Sequence, residues 1–194
     1  MNDRQSPEDA AGLAASRRKL LSIIAIAVVP IVIAYFMFFY FPAIVPEGTT
    51  NKGVLITPPQ QIESLSVALA TDNWVLIQLV NDDCDEACQH VMNTARQVHK
   101  AIGKEASRLS RAVVSRSPLS MVNTSFIAAE HPGLQTVVDA EVWQALAVLA
   151  QGDTENTVFL MDPNGNVMMY YQPEKVGKPL MQDIRHLLRI SNIG

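Results

Sequence analysis

Residues 74–103, WVLIQLVNDDCDEACQHVMNTARQVHKAIG, decide the fold. The run Val75-Leu76-Ile77-Gln78-Leu79-Val80 is short and rich in branched side chains, as a strand buried on both faces is. Asn81-Asp82-Asp83 breaks it. Beyond the break, Cys88, Val91, Met92, Ala95, Val98 and Ile102 recur at helical spacing, with Asp85, Gln89, Asn93, Arg96 and Lys100 between them. An amphipathic helix is predicted there. Both cysteines of the chain, Cys84 and Cys88, fall where the strand hands over to the helix, an address that often houses chemistry.

With Asp83 as N-cap, Glu86 stands at N3, completing a capping box and making Cys84 the first helical residue. Cys88 then lies one turn on, on the same face, and a rise of about 6 Å allows a disulfide. The helix start favours a thiolate, while Asp82, Asp83, Asp85 and Glu86 disfavour a second negative charge. Those carboxylates would suit a cation instead, and two thiolates are half of a site for a soft metal such as Cu(I). In thiol–disulfide exchange, Cys84 is expected to be the more exposed, attacking thiol and Cys88 the resolving one. The structural alternative is that the pair is a plain bridge in a non-catalytic scaffold. Cys88 continues the apolar stripe and fits that reading, whereas Cys84, in an acidic loop, fits it poorly.

The chain has 194 residues and is 48% hydrophobic, part of that in one N-terminal block. Residues 20–45, LLSIIAIAVVPIVIAYFMFFYFPAIV, carry no charge and exceed the roughly 20 residues that cross a bilayer. They are predicted to form a transmembrane helix in a bacterial inner membrane. Arg17, Arg18 and Lys19 precede it, so residues 1–19 are expected to be a disordered cytoplasmic tail and everything from Pro46 onward to be periplasmic. The apolar run is too long for a cleaved signal peptide. Residues 46–53 read as a linker, and residues 54–194 as one domain. From Pro46 onward lie 11 of the 15 basic and 16 of the 19 acidic residues, a net charge of about −5, which gives no case for nucleic acid or an anionic lipid surface.

Within that domain, Val54-Leu55-Ile56 is a short strand stopped by Pro58-Pro59, and Leu109–Ser115 a further strand. The region from Arg116 to Gln135 reads as irregular. Asp139 caps a helix reaching Leu149, and Thr157–Met161 and Asn166–Tyr171 form a hairpin around Asp162-Pro163-Asn164-Gly165. Pro179 opens a last helix. Alternating strands and helices imply parallel strands with a closing antiparallel edge. The predicted class is therefore α/β, a thioredoxin-like fold preceded by one transmembrane helix.

A CxxxC pair at the start of the first helix of this order, an N-terminal anchor and the closing VFLMDPNGNVMMYY resemble the Sco/SenC proteins, over roughly residues 54–189. The resemblance implies assistance to cytochrome c oxidase assembly, by copper delivery or cysteine reduction, with an oxidase subunit or another assembly factor as partner. It also implies Cys84 and Cys88 as ligands. Here Asp85 and Gln89 follow the cysteines where the family has prolines, and Asp153-Thr154-Glu155-Asn156 stands where it has its copper-binding histidine. His131, before Pro132, is the histidine expected to substitute, as a loop residue able to move toward the pair; a solvated loop histidine is the simpler expectation for it. His90 is expected on the solvated side of its helix.

Overall fold

The computed structural model describes residues 7–40, 50–81, 83–152 and 154–191. The chain divides into two compact units, Met1–Thr49 and Thr50–Gly194. The first holds helix α1, Pro7–Tyr40. Its stretch Ser16–Tyr40 has a mean hydropathy of 2.7 and is a candidate membrane span. At about 1.5 Å per residue it is long enough for a hydrocarbon core of about 30 Å. The helix starts earlier than Leu20, running through most of the tail expected to be disordered. Pro30 sits inside it without ending it. The expected end of the span at Val45, and the linker up to Thr49, lie outside the described residues.

The second unit is a mixed α/β domain with a six-stranded sheet in the order β1-β6-β5-β2-β3-β4. Its strands are β1 Val54–Gln61, β2 Trp74–Val80, β3 Leu109–Ser115, β4 Leu134–Val138, β5 Val158–Met161 and β6 Asn166–Tyr171. Helices α2 Glu63–Leu69, α3 Glu86–Ala101, α4 Met121–Glu130, α5 Ala140–Leu149 and α6 Lys178–Ile190 flank them. Strands β2, β3 and β4 run parallel, while β5 is antiparallel to β2 and β6 to β5. The β2-α3-β3 unit followed by the β5-β6 hairpin and α6 is the thioredoxin-like arrangement.

The hairpin was expected to form the sheet's antiparallel edge; instead β1 pairs antiparallel to β6 and takes the edge. Nor do Pro58 and Pro59 stop β1. The strand continues to Gln61, with its register broken between Leu55 and Gln60, since an edge strand needs only one row of donors. The irregular region between Arg116 and Gln135 holds α4 and the start of β4. Met121 and Val122 in α4 are 87% and 75% exposed, so the helix lacks the apolar periodicity that would have revealed it.

Alternation along β2 assigns the two faces of the sheet. Val75, Ile77 and Leu79 pack with Leu65 and Leu69 of α2 and with Val142, Trp143 and Leu146 of α5. Trp74 and Leu76 pack instead with Val91, Ala95 and Val98 of α3 and Leu180, Ile184 and Leu188 of α6. The period of two places Gln78 on this second side, facing α3. Trp143 fastens the end of β2, its indole Nε1 donating to the Val80 carbonyl at 2.9 Å. Trp143→Phe leaves that buried carbonyl unpaired and is expected to cost about 2 kcal/mol in urea unfolding; a loss below about 0.5 kcal/mol would show that the carbonyl finds another donor.

Candidate active site

Beyond Val80 the chain leaves the sheet and turns into α3. The N-cap is Asp85, not Asp83: its carboxylate accepts from Cys88 N at 2.9 Å. Asp83 is claimed by tertiary partners, accepting from Cys84 N at 3.1 Å, from Ser120 Oγ at 3.2 Å, and from Asn123 Nδ2. Two aspartates competed for one cap, and α4 took the first. Cys84 therefore precedes the helix and Cys88 is its third residue.

The two cysteines form a disulfide with Cα atoms 5.2 Å apart. Both are buried, Cys84 at 4% and Cys88 at 2% exposure, in a cluster with Val80, Met92, Val113 and Ile127. Cys84 is the more exposed of the two by this narrow margin only. Ile127 brings α4 into this cluster, Asp83 and Asp85 are engaged in hydrogen bonds, and Asp82 lies outside the described residues.

A polar lattice surrounds the sulfurs. Gln89 Nε2 donates to Cys84 O and to Asn123 Oδ1, each at 3.4 Å. From the sheet side, Gln78, 4% exposed, sends its Nε2 to Cys88 O at 3.1 Å and to within 3.7 Å of Cys88 Sγ. Neither Gln78 nor Asn123 was singled out from sequence. Gln78 could have been, as the one polar residue in Val75–Val80; Asn123 could not, since the element that presents it was not recognised.

An open groove of about 780 Å³ adjoins the start of α3, lined by Asp85, Glu86, His90, Glu155, Asn156 and Glu174 among others. His90 is exposed there, as expected. Asn156, nearest to the family's histidine position, lines the same groove at a left-handed φ of 57°, a conformation that asparagine tolerates.

His131 is elsewhere. It is the C-cap of α4 and 1% exposed, not a solvated loop residue. Its ring meets Phe126 edge-on with centroids 5.1 Å apart, and its Nδ1 lies 3.5 Å from Nη1 of Arg111. Burial first, then the Arg111 and Arg96 guanidiniums, lower its pKa to about 4, against a smaller opposing pull from Glu130. Two guanidiniums beside the ring repel a cation. Among the described residues no group of three His, Cys, Asp or Glu side chains could hold a metal. In the bridged form the sulfurs carry no thiolate, and Asn156 offers no soft donor. In that form the residues present do not fit Cu(I), and His131, buried beside Arg111, joins no ligand group with the pair.

Solved structures similar to this chain include copper-bound ScoI of Bradyrhizobium japonicum, at 15% identity and a TM-score of 0.43, over 60% of this chain and 83% of that one. BsSco, a member of the Sco family of cytochrome c oxidase assembly proteins, matches at 13% identity and 0.48, over 73% and 97%. The thioredoxin domain of a thiol-disulfide oxidoreductase from Bacteroides vulgatus matches at 13% and 0.45, over 70% and 91%. No curated protein matches the chain. The family model of the transmembrane-like, thioredoxin-like, C-terminal domain matches residues 74–191, and the chain belongs to that family.

Proposed function

We propose that the chain is a membrane-anchored thiol–disulfide exchange protein acting through Cys84 and Cys88. Helix α1 anchors it in a bacterial inner membrane with Arg17, Arg18 and Lys19 on the cytoplasmic side, and the thioredoxin-like domain works in the periplasm. Its partner is a respiratory oxidase subunit or another assembly factor, as the Sco/SenC resemblance of the sequence implies.

The bridge itself carries the reading. It links residues four apart, and a loop that short removes little freedom from the unfolded chain, about 2 kcal/mol by the chain-entropy relation. A bridge so placed is a poor staple. It nevertheless stands at the strand-to-helix junction, with side chains from β2, α3 and α4 bonded around it. Such an investment in a weak crosslink fits a pair that opens and closes. The burial of both sulfurs favours a second reading, a structural bridge in a scaffold that holds an assembly partner.

Equilibration of the full chain with dithiol buffers of graded potential separates the two. Exchange predicts a reversible midpoint above about −300 mV, the value below which structural disulfides fall. It also predicts a loss of no more than about 2 kcal/mol of stability on reduction. A bridge that opens only on unfolding the domain would sink the exchange reading and leave the scaffold.

A further inference from the structure

The lattice around the bridge treats its two sulfurs unequally, and the inequality originates in Gln78. This side chain stands in the all-buried strand β2, where an amide without full hydrogen bonding is costly. Its Oε1 has no partner. Its Nε2 is directed at Cys88, with the carbonyl at 3.1 Å and Sγ at 3.7 Å.

The orientation of the amide has an electrostatic cause. Gln78 and Arg111 line the same small cavity of about 10 Å³ between the sheet and α3. Arg111 is 7% exposed and remains cationic, although burial and then Arg96 lower its pKa. Turning the amide over would set Oε1 against Cys88 O and take the donor away from Cys88 Sγ. The observed sense keeps the donors on the sulfur side. Both cysteines have their N–H on a carboxylate, Cys84 on Asp83 and Cys88 on Asp85, and their carbonyls on a glutamine amide, Gln89 and Gln78; the difference is that the Gln78 amide also reaches the Cys88 sulfur. Negative charge on the Cys88 sulfur faces a donor, the Gln78 amide.

We propose that Gln78 makes Cys88 the leaving sulfur, and thereby sets both the regiochemistry and the equilibrium of the exchange. The inference rests on the exchange reading above. A partner dithiol attacks through one thiolate at Cys84 Sγ. The Cys84–Cys88 bond breaks, and its electron pair remains on Cys88 Sγ, which accepts an N–H of Gln78. The partner's second thiol then attacks its own sulfur in the mixed disulfide. Cys84 Sγ leaves with that electron pair and takes up the proton released by the second thiol. The partner is oxidised to a disulfide, and the pair gains two electrons.

The test compares wild type, Gln78→Met and Gln78→Glu as full chains in dithiothreitol redox buffers, counting free thiols by alkylation and following thermal unfolding in parallel. Methionine keeps the length and apolar fit but has no donor. Gln78→Met is expected to lower the dithiol-to-disulfide ratio about tenfold at a fixed buffer, equal to about 30 mV for a two-electron couple. Gln78→Glu is expected to lower it further, because a carboxylate then faces the thiolate. In a Cys88→Ser background, a mixed disulfide with a thiol probe should accumulate on Cys84. A folded Gln78→Met chain whose ratio stays within twofold of wild type overturns the inference while the exchange reading stands. If Gln78→Met does not fold, a Gln78→Glu ratio at or above wild type overturns it. A wild-type bridge that no dithiol buffer opens overturns both.

Discussion

Asp183→Ala is expected to unfold about 12 °C below wild type, a loss of about 4 kcal/mol in a domain of this size. Asp183 belongs to the buried stripe of α6, between Leu180 and Ile184, and is 6% exposed. A carboxylate there is sustained only by donors. Its Oδ2 accepts from Lys52 N at 2.7 Å, Gly53 N at 2.9 Å and Tyr171 Oη at 2.9 Å. Tyr171 is wholly buried, and burial followed by the Asp183 charge raises its phenol pKa, so it stays a donor across the physiological range. The same group thus joins α6, β6 and the point where the chain from the anchor enters the domain. Gly53 is part of the fit, since a Cβ there would lie 2.6 Å from the Tyr171 ring. Alanine leaves the buried Gly53 N–H without its acceptor, the Tyr171 hydroxyl with only the Met169 sulfur, and the part-buried Lys52 N–H to solvent, a buried unpaired donor costing about 1–3 kcal/mol before relaxation. Asp183→Asn keeps one acceptor and should lose roughly half as much. Thermal and urea unfolding of the two variants check the order; an alanine variant within 1 kcal/mol of wild type would show that water reaches these donors.

Asp183 also marks where reading by pattern stops. The stripe of Leu180, Ile184, Leu187 and Leu188 announces α6, and Asp183 within it looks like a surface residue until β6 and Gly53 are in place. The same division runs through the site. The strand-helix junction and its two cysteines are legible because they follow from local periodicity: β2 is apolar throughout, and α3 alternates at helical spacing. What surrounds the cysteines is not local. Spacing favours Asp83 as the cap, with Glu86 three residues on, and the choice is reversed by Ser120 and Asn123, some forty residues on, in a helix that exposes its own methionine and valine. The burial of Cys84 is not legible for the same reason, because Ile127, which shares its apolar cluster, comes from that helix. The edge position of β1 likewise depends on a partner strand more than a hundred residues away. Gln78 differs from these. Its face follows from the alternation of β2 alone, so a polar residue on the α3 side of a doubly buried strand was visible as an anomaly next to a helix bearing a cysteine.

Lowering the pH from about 6.5 to about 4 is expected to remove roughly 2–3 kcal/mol of stability through His131 alone. In the folded domain its pKa is held at about 4, below the ordinary value of 6.5. The unfolded chain therefore binds a proton at a pH where the folded one does not. The stability this group contributes is complete above the unfolded pKa and is lost as pH falls toward the folded one, where the neutral ring must take up charge. Burial is the first cause, and the groups facing the ring act on top of it: Arg111 from β3 and Arg96 from α3 oppose protonation, while Glu130 of α4 favours it. Glu130 is itself drawn toward Arg96, 3.6 Å away, which weakens its hold on the ring. A neutral ring whose Nδ1 faces the Arg111 donor carries its hydrogen on Nε2, and that atom has no partner. His131→Leu should accordingly be no less stable than wild type at pH 4 and should show a flatter profile between pH 6.5 and 4, when urea midpoints are measured at half-unit intervals. Parallel profiles for the two proteins would mean that the acid sensitivity lies in other groups. The ring belongs to the residue that caps α4, the helix that contributes Ile127 to the apolar cluster around Cys84 and Cys88.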